Sequence, residues 1–522
     1  MNGATCVSRI KYLKIMPYKK KRYYYSLKKF SISARSTIDG RWKLVRRLGI
    51  GGNGEVWQCR DINDGQEYAI KFLKNAFFEP YTRFYDEVTF METFGEIPGV
   101  LPIIAKYIPP VAERFADKTK PFYYVMPLAE STGKEIYALS VEKKIVIIRA
   151  LLEMLVSLHE RGIAHRDIKP ANILLYNGQY VLSDFGLVFF NGKSSNTPQG
   201  IALGAKWTRS PQMERDAVTA DRFKADVYSM AKTIWMIFTG DFTSFEGQYD
   251  PTAPLLSLRG YVLDKYLTPL ENLLAKCTDH IEELRPTAKE LLDGFTDWDA
   301  INHNWDRENL LQWIEIQRKV FPVYESDRAE WTGIERIVGI LNMLGSYQSL
   351  NHLFFPNGGG LDLTGAVIAR ETGCLEMHCG GLIYTLHPKR LLYERVSDDF
   401  QWNYFRLEAE VTDAISDEFR TDAYMEEFGE LTESDGSIHL VSIPELDQMS
   451  KEEVEKYKAR HIARMLKGSM VIFHKNSLYN MLIAKYKGEH DTVTADEFRN
   501  SIVGYSQKLK GKTIADFRKP KQ

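Results

Sequence analysis

The sequence predicts an α+β fold in two lobes, a small β-rich one and a larger helical one, followed by a separate mixed α+β domain. Three observations carry this. Short runs of β-branched and aromatic residues flank a glycine cluster between Trp42 and Phe72. Apolar residues at helical spacing dominate from Val141 to Leu292. Period-2 alternation then returns over Leu361 to Glu410. The 522 residues make room for about three or four folding units.

Composition narrows the class. Hydrophobic residues make up 44% and charged residues 26%, the balance of an ordinary globular chain and not of a disordered one. The five cysteines are too scattered for a disulfide framework, which points to a reducing, cytoplasmic compartment. No run of about 18 uncharged apolar residues exists, so no transmembrane segment is expected. The formal net charge of −1 hides an asymmetry: residues 1–38 hold ten Lys or Arg and no acid, whereas residues 394–450 hold sixteen acids against three bases. Residues 1–38 therefore read as a basic, flexible arm, in which Lys19 to Arg22 followed by three tyrosines could contact nucleic acid or an acidic surface. The acidic run reads as solvated surface, with capture of the basic arm in cis as the sharper alternative.

The elements follow in order. Leu44 to Leu48 and Val56 to Cys59 are strands on either side of glycines, and Glu67 to Phe72 is the next strand. Arg83 to Phe94 reads as a helix and Phe122 to Met126 as a strand. Helical patterns then cover Val141 to Arg161, Asp226 to Phe238, Leu267 to Lys276 and Ala288 to Leu292. Beyond Phe295, helices are expected over Trp298–Tyr324, Ile334–Leu344, Lys451–Leu466 and Leu478–Tyr486. The resulting domains are 1–38, 39–297 (small lobe about 39–126, larger lobe about 130–297) and 300–522.

Residues suited to phosphate chemistry recur along the first two lobes. Gly49, Ile50, Gly51, Gly52, Asn53 and Gly54, then Val56, fit G-x-G-x-x-G-x-V between strands, where glycine lets backbone approach phosphate. A strand, not a helix, follows the loop, which disfavours dinucleotide binding. Lys71 closes the strand run Tyr68-Ala69-Ile70, and Glu87 on the next helix could hold its ammonium against nucleotide phosphates. The strongest signal is His165-Arg166-Asp167-Ile168-Lys169-Pro170-Ala171-Asn172, with Asp184-Phe185-Gly186 downstream. Two aspartates, a lysine and an asparagine at these spacings supply a carboxylate to position a hydroxyl, a cation for the moving phosphoryl group and oxygens for magnesium.

In combination these motifs resemble the catalytic domain of the eukaryotic-type (Hanks-type) Ser/Thr protein kinases over residues of about 42–295, roughly half the chain. The resemblance implies a bilobal protein-kinase-like fold and an active enzyme that uses ATP with Mg2+, or Mn2+ in its place, on Ser or Thr of protein substrates. It makes Asp167 the catalytic base, Lys169 the partner of the γ-phosphate, and Asn172 with Asp184 the metal ligands. It places Lys71 on the α- and β-phosphates and pairs it with Glu87, and it lays the Gly49–Gly54 backbone over the triphosphate. Val56, Ala69 and Leu174 would sandwich the adenine, with Met126 at the back of the pocket and Leu128 in the hinge Pro127-Leu128-Ala129. Lys169 favours Ser or Thr over Tyr as acceptor, and Arg166 implies control by autophosphorylation, with Ser194, Ser195 and Thr197 as candidates. Asp226 to Met230 and Arg285 to Ala288 resemble the family's large buried helix and its closing segment.

The departures are specific. Ser210-Pro211-Gln212 stands where the family has Ala-Pro-Glu, so the expected ion pair to Arg285 becomes a charged–neutral hydrogen bond, or Glu214 takes its place. Ala205 follows Gly204 where a threonine is usual, with Thr208 nearby, and Ala231 replaces a common glycine. A catalytically weak scaffold acting through residues 300–522 is the competing reading. Residues 300–522 resemble no recognised family. There Cys374, His378, Cys379 and His387 have loose zinc spacing, and strand alternation sets the two cysteines on opposite faces, which favours core cysteines. The glycines at 358–360 read as a turn.

Overall fold

A computed structural model describes residues 25, 27–30, 32–51, 54–113, 120–193, 202–323, 326–356, 359–370, 373–410, 425–465, 468–483 and 494–518. The chain divides into two compact units, Met1–Leu258 with Glu271–Gly294, and Arg259–Leu270 with Phe295–Gln522.

In the first unit, β1 (Thr37–Ile38), β2 (Trp42–Ile50), β3 (Gly54–Asp61) and β4 (Glu67–Leu73) lead to helix α1 (Phe78–Phe94), then β5 (Ala105–Tyr107) and β6 (Tyr123–Pro127). The strands form one antiparallel sheet in the order β1-β2-β3-β4-β6-β5. The face of the sheet opposite to the one that carries Lys71 buries Leu44, Cys59, Ile70, Phe72 and Val125. Helix α1 starts five residues before the expected Arg83, because exposed Phe77 and Phe78 blur the amphipathic pattern at its first turn. Tyr25 to Ile38 departs from a flexible arm: Tyr25, Leu27 and Ile38 are buried, and β1 pairs with β2. Residues 1–24 lie outside the described residues.

The larger lobe comprises β7 (Glu130–Ser131), α2 (Val141–Glu160), β8 (Ile173–Tyr176), β9 (Gln179–Leu182), α3 (Pro211–Arg215) and α4 (Arg222–Thr239), with α5 (Thr268–Cys277) and α6 (Ala288–Asn302) following. Ser140 caps α2 by accepting from Lys143 N, and Ile145, Ile148, Leu152 and Leu155 form its buried stripe. Helix α4 is buried from Ala225 through Phe238, polar residues included, so it is the axis of this lobe. Asp221 accepts from the α4 amides of Phe223 and Lys224, and Gly240 (φ 77°) ends the helix in the left-handed region.

The boundary expected near 297–300 moves. Trp298 Nε1 donates to Tyr266 O at 2.8 Å, and Asn302 Oδ1 accepts from Tyr266 N at 2.7 Å, which ties Arg259–Leu270 to the second unit. The single helix expected from Trp298 is split at His303–Asn304, where Asn304 caps α7 (Trp305–Val320) by accepting from Arg307 N.

The second unit adds β10 (Arg328–Trp331), α8 (Ile334–Gly345), β11 (His352–Phe354), β12 (Gly360–Ile368), β13 (Leu375–Cys379), β14 (Leu382–Glu394), β15 (Tyr404–Glu410), β16 (Met425–Thr432), β17 (Ile438–Val441), α9 (Ile443–Asp447), α10 (Lys451–Lys456), β18 (Arg460–Met465), β19 (Gly468–Phe473) and α11 (Ala495–Lys508). Pairing runs β12-β13-β14-β15-β19-β11 and returns to β12, so these strands close a ring. Long β14 makes this closure: its first half pairs with β13 and its second with β15, across a bulge between Pro388 and Arg390. Leu341, Leu363, Met377, Leu391, Phe405 and Met470 are among the residues that fill the core. Cys379 packs in this core and Cys374 is buried just before β13. Burial pushes the Cys379 thiol up to about 12. The turn expected at 358–360 ends on Gly359 (φ 76°), and a side chain at Gly360 would collide with the Leu353 carbonyl.

One expected helix is corrected. Helix α10 stops at Lys456, Lys458 takes φ 45°, and Arg460–Met465 becomes strand β18 between β14 and β16. Sheet pairing of Ile462 with Ile383 and Phe428 overrides the local helical pattern. After Leu478 the described chain makes a short π-helical turn at Tyr479–Ile483. Residues 411–424 of the acidic run lie outside the described residues. Among the described residues no helix is long and apolar enough to cross a membrane.

Candidate active site

The glycine turn and the strands behind it are placed by register. Gly49 lies opposite Val56 and Ile50 opposite Glu55, and Gly51 N donates to Gly54 O at 2.9 Å to close the turn. A Cβ on Gly54 would stand 2.8 Å from Phe72 O, so glycine is what lets β3 lie this close to β4. Gly52 and Asn53 lie outside the described residues. Val56 is opposite Lys71 and Ala69 opposite Met126, which brings these four onto adjoining positions of β3, β4 and β6. Leu128 follows β6, and Leu174 sits on β8 opposite Ser131 of β7.

Lys71 is the hub. Its Nζ lies 2.7 and 2.8 Å from the two Glu87 oxygens and 3.1 Å from Asp184 Oδ1. Glu87 Oε1 also accepts from the Tyr124 hydroxyl at 3.0 Å. Burial pushes the Glu87 carboxyl up against the opposing pull of the Lys71 charge. Burial opposes the Lys71 charge, but Asp184 and Glu87 outweigh it and hold the ammonium well above its ordinary range. The Lys71 charge holds Asp184 below the usual carboxylate range. Asp184 takes φ 63°, a left-handed conformation uncommon for a side-chain-bearing residue, while Phe185 packs on Phe90 of α1 and on His165.

The second cluster lies on the loop before β8. Lys169 Nζ is 2.7 Å from Asp167 Oδ2, and Asn172 Nδ2 donates to that oxygen at 3.1 Å and to Asp167 O at 2.9 Å. Asp226, at the start of α4, accepts from His165 N and Arg166 N at 2.7 Å each, and so holds Arg166 at φ 67°. Ser183 N donates to Asn172 O, so the β8–β9 hairpin links Asn172 to Asp184. The donor set fits a hard divalent cation: the Asn172 amide nitrogen is committed to Asp167, which leaves its oxygen as the metal-facing atom, and Asp184 supplies a half-exposed ionised carboxylate.

The altered closing segment is intact by another route. Arg285 is buried and donates to Gln212 Oε1 at 2.7 Å and to Asp279 O at 2.7 Å, while Glu214 pairs with Arg209 instead. Thr208 is buried, and its carbonyl accepts from the Ser229 hydroxyl. Ser194, Ser195 and Thr197 lie outside the described residues. Two residues of the site escaped the sequence reading. Tyr124 gives no motif signal, and Asp226 was read as a helix start, although an acid buried at 0% exposure announces a partner.

A strand-rich lobe with a buried Lys–Glu pair, above a loop that gathers Asp, Lys and Asn, is the arrangement of a protein kinase domain. Residues 42–295 match the family model described as protein kinase domain. The serine/threonine-protein kinase PknL of Mycobacterium tuberculosis is 29% identical over 219 residues, covering 40% of this chain and 52% of that one. Serine/threonine-protein kinase D of Synechocystis is 27% identical over 266 residues, 48% of this chain and 49% of that one. The kinase pkn2 of Myxococcus xanthus is 27% identical over 282 residues, 49% and 32%. The chain thus spans about half the length, or less, of these curated relatives. A solved kinase domain aligns at 15% identity with a TM-score of 0.41, over 51% of this chain and 97% of that one.

Proposed function

We propose that this chain is an ATP- and Mg2+-dependent protein kinase that transfers the γ-phosphate to Ser or Thr hydroxyls of proteins. The observation that carries the reading is Lys71 held between Glu87 and Asp184 while Asp167, Lys169 and Asn172 converge on one loop. Lys71 binds the α- and β-phosphates, oriented by Glu87. With Oδ2 of Asp167 held by Lys169 and Asn172, Oδ1 is the oxygen that meets the acceptor hydroxyl and takes its proton. Lys169 offsets charge on the phosphoryl group in transfer. Asn172 and Asp184 would hold the magnesium ion, which would supply positive charge to offset that of the phosphates. Lys169 and the Ser/Thr kinase names of the relatives support hydroxyl acceptors of that kind.

Phosphorylation by the enzyme itself within residues 191–208, read out through Arg166, is part of the proposal. So is substrate selection or regulation by residues 300–522. Incubation with γ-labelled ATP and magnesium, wild type beside Asp167→Ala, tests it. Label on Ser or Thr that disappears in the variant is the expected result. Absence of label in wild type that still binds nucleotide would turn the reading to a scaffold.

A further inference from the structure

A phenol from outside the kinase-family span stands behind the Lys71–Glu87 pair. Tyr25 is buried, its hydroxyl accepts from Phe122 N at 2.8 Å and lies 3.3 Å from Leu73 O, to which it donates. Leu73 N already donates to Phe122 O at 3.0 Å, so the backbone joins these residues on one side and the phenol bridges them on the other. The Tyr25 ring stacks on Phe122 with centroids 4.5 Å apart and planes at 10°. Phe122 in turn meets Tyr81 edge-on at 5.3 Å. Two residues further, Leu27 N donates to Lys74 O at 2.9 Å and Leu27 is buried.

These contacts end on the two elements that carry the ion pair. Leu73 closes β4 two residues after Lys71, and Tyr81 lies on α1 less than two turns before Glu87. From this geometry we infer that Tyr25 is a positioning residue for phosphotransfer: docked on β4 and Phe122, it acts through the Phe122–Tyr81 contact to fix the helix that presents Glu87 to Lys71. The inference rests on the kinase reading for its catalytic consequence and on geometry alone for its structural one. Removing the hydroxyl leaves Phe122 N, on a residue at 0% exposure, without its acceptor. Removing the ring also takes away the stack that braces Tyr81 through Phe122.

The test uses the full chain as wild type, Tyr25→Phe and Tyr25→Ala, with Ile38→Ala as a control for general loss of packing in the same segment. Steady-state phosphotransfer gives kcat and KM for ATP, and hydrogen exchange follows the amides of residues 78–94. Tyr25→Ala is expected to lower kcat/KM about tenfold, through kcat as well as KM, and to speed exchange in α1 about tenfold. Tyr25→Phe should fall between it and wild type, and Ile38→Ala should lower the melting temperature while keeping kcat and α1 exchange at wild-type values. Wild-type kcat and α1 exchange in Tyr25→Ala overturn the inference, as does an equal effect from Ile38→Ala. Should wild type transfer no phosphate, the kinase reading fails separately, and the exchange comparison still decides whether Tyr25 holds α1.

Discussion

The Tyr124 hydroxyl donates to Glu87 Oε1 at 3.0 Å, and the β4–β6 register places Tyr124 directly across from Lys71. Glu87 therefore receives three hydrogen bonds, two from the ammonium and one from a phenol on the neighbouring strand. A charge-assisted bond of this kind is worth about 1.5–3 kcal/mol. Tyr124→Phe is expected to lower kcat/KM by about tenfold. In a Glu87→Gln background the same change should cost about twofold or less, because the phenol acts through the carboxylate. Equal losses in both backgrounds would assign Tyr124 a role apart from Glu87.

Asp226 secures the catalytic loop through the two backbone amides of His165 and Arg166. Asp226→Asn keeps the shape but gives up the charge, and turns a donor nitrogen toward one of those two amides. Stability is expected to fall by about 2 kcal/mol in urea unfolding, with kcat reduced at least about tenfold as Arg166 leaves its left-handed conformation. A variant as stable as wild type with full turnover would show that the loop holds its shape unaided.

Gln212 is the neutral partner of a buried arginine. Burial pushes the Arg285 guanidinium down from its ordinary value, the mark of a charge whose surroundings undercompensate it. Gln212→Glu places an anion at the same 2.7 Å contact and is expected to raise stability by about 1 kcal/mol without loss of activity. Thermal unfolding read beside the phosphotransfer assay checks both halves of that statement.

In the second unit Glu408 lies between Arg390 Nε at 2.7 Å and Arg406 Nε at 3.0 Å. Burial raises its carboxyl, but the two guanidiniums outweigh burial and hold it below the ordinary glutamate value. Its folded-state value is depressed, so its contribution is complete above the unfolded-state value near 4.5 and is lost as pH falls through the folded-state one. Glu408→Gln should cost about 2 kcal/mol at pH 7, and the gap between variant and wild type should narrow as the pH falls below 4.5 and through the folded-state value. A gap that persists in acid would trace the loss to shape and not to charge.

The parts of the site that were legible in sequence are those that the chain keeps contiguous. Asp167, Lys169 and Asn172 converge within one loop, and a short hairpin leads from there to Asp184. Tyr124 became visible only when strand register placed it across from Lys71, and Asp226 only when α4 delivered its carboxylate to amides sixty residues away. The same division holds for the fold. Alternation over Leu361 to Glu410 announced strands because each has one buried face, but the closure depends on Leu353 meeting Ile472, a pairing that no local pattern encodes. Lys451 to Leu466 failed for the opposite reason: a local helical pattern was real as far as Lys456, and tertiary pairing took over from Arg460.

The ring of β11, β12, β13, β14, β15 and β19 also sets a schedule for a chain emerging from a ribosome. Its first strand, β11, is made early and must wait for β19 before any order can be locked, because a ring short of one member has two open edges. Arg259–Leu270 belongs to that unit by its contacts although it is synthesised within the kinase sequence. That stretch is therefore left without its final neighbours until Trp298 and Asn302 arrive, and nascent chains stalled before Trp298 should be cut by protease near Tyr261 and Leu263 faster than the full chain.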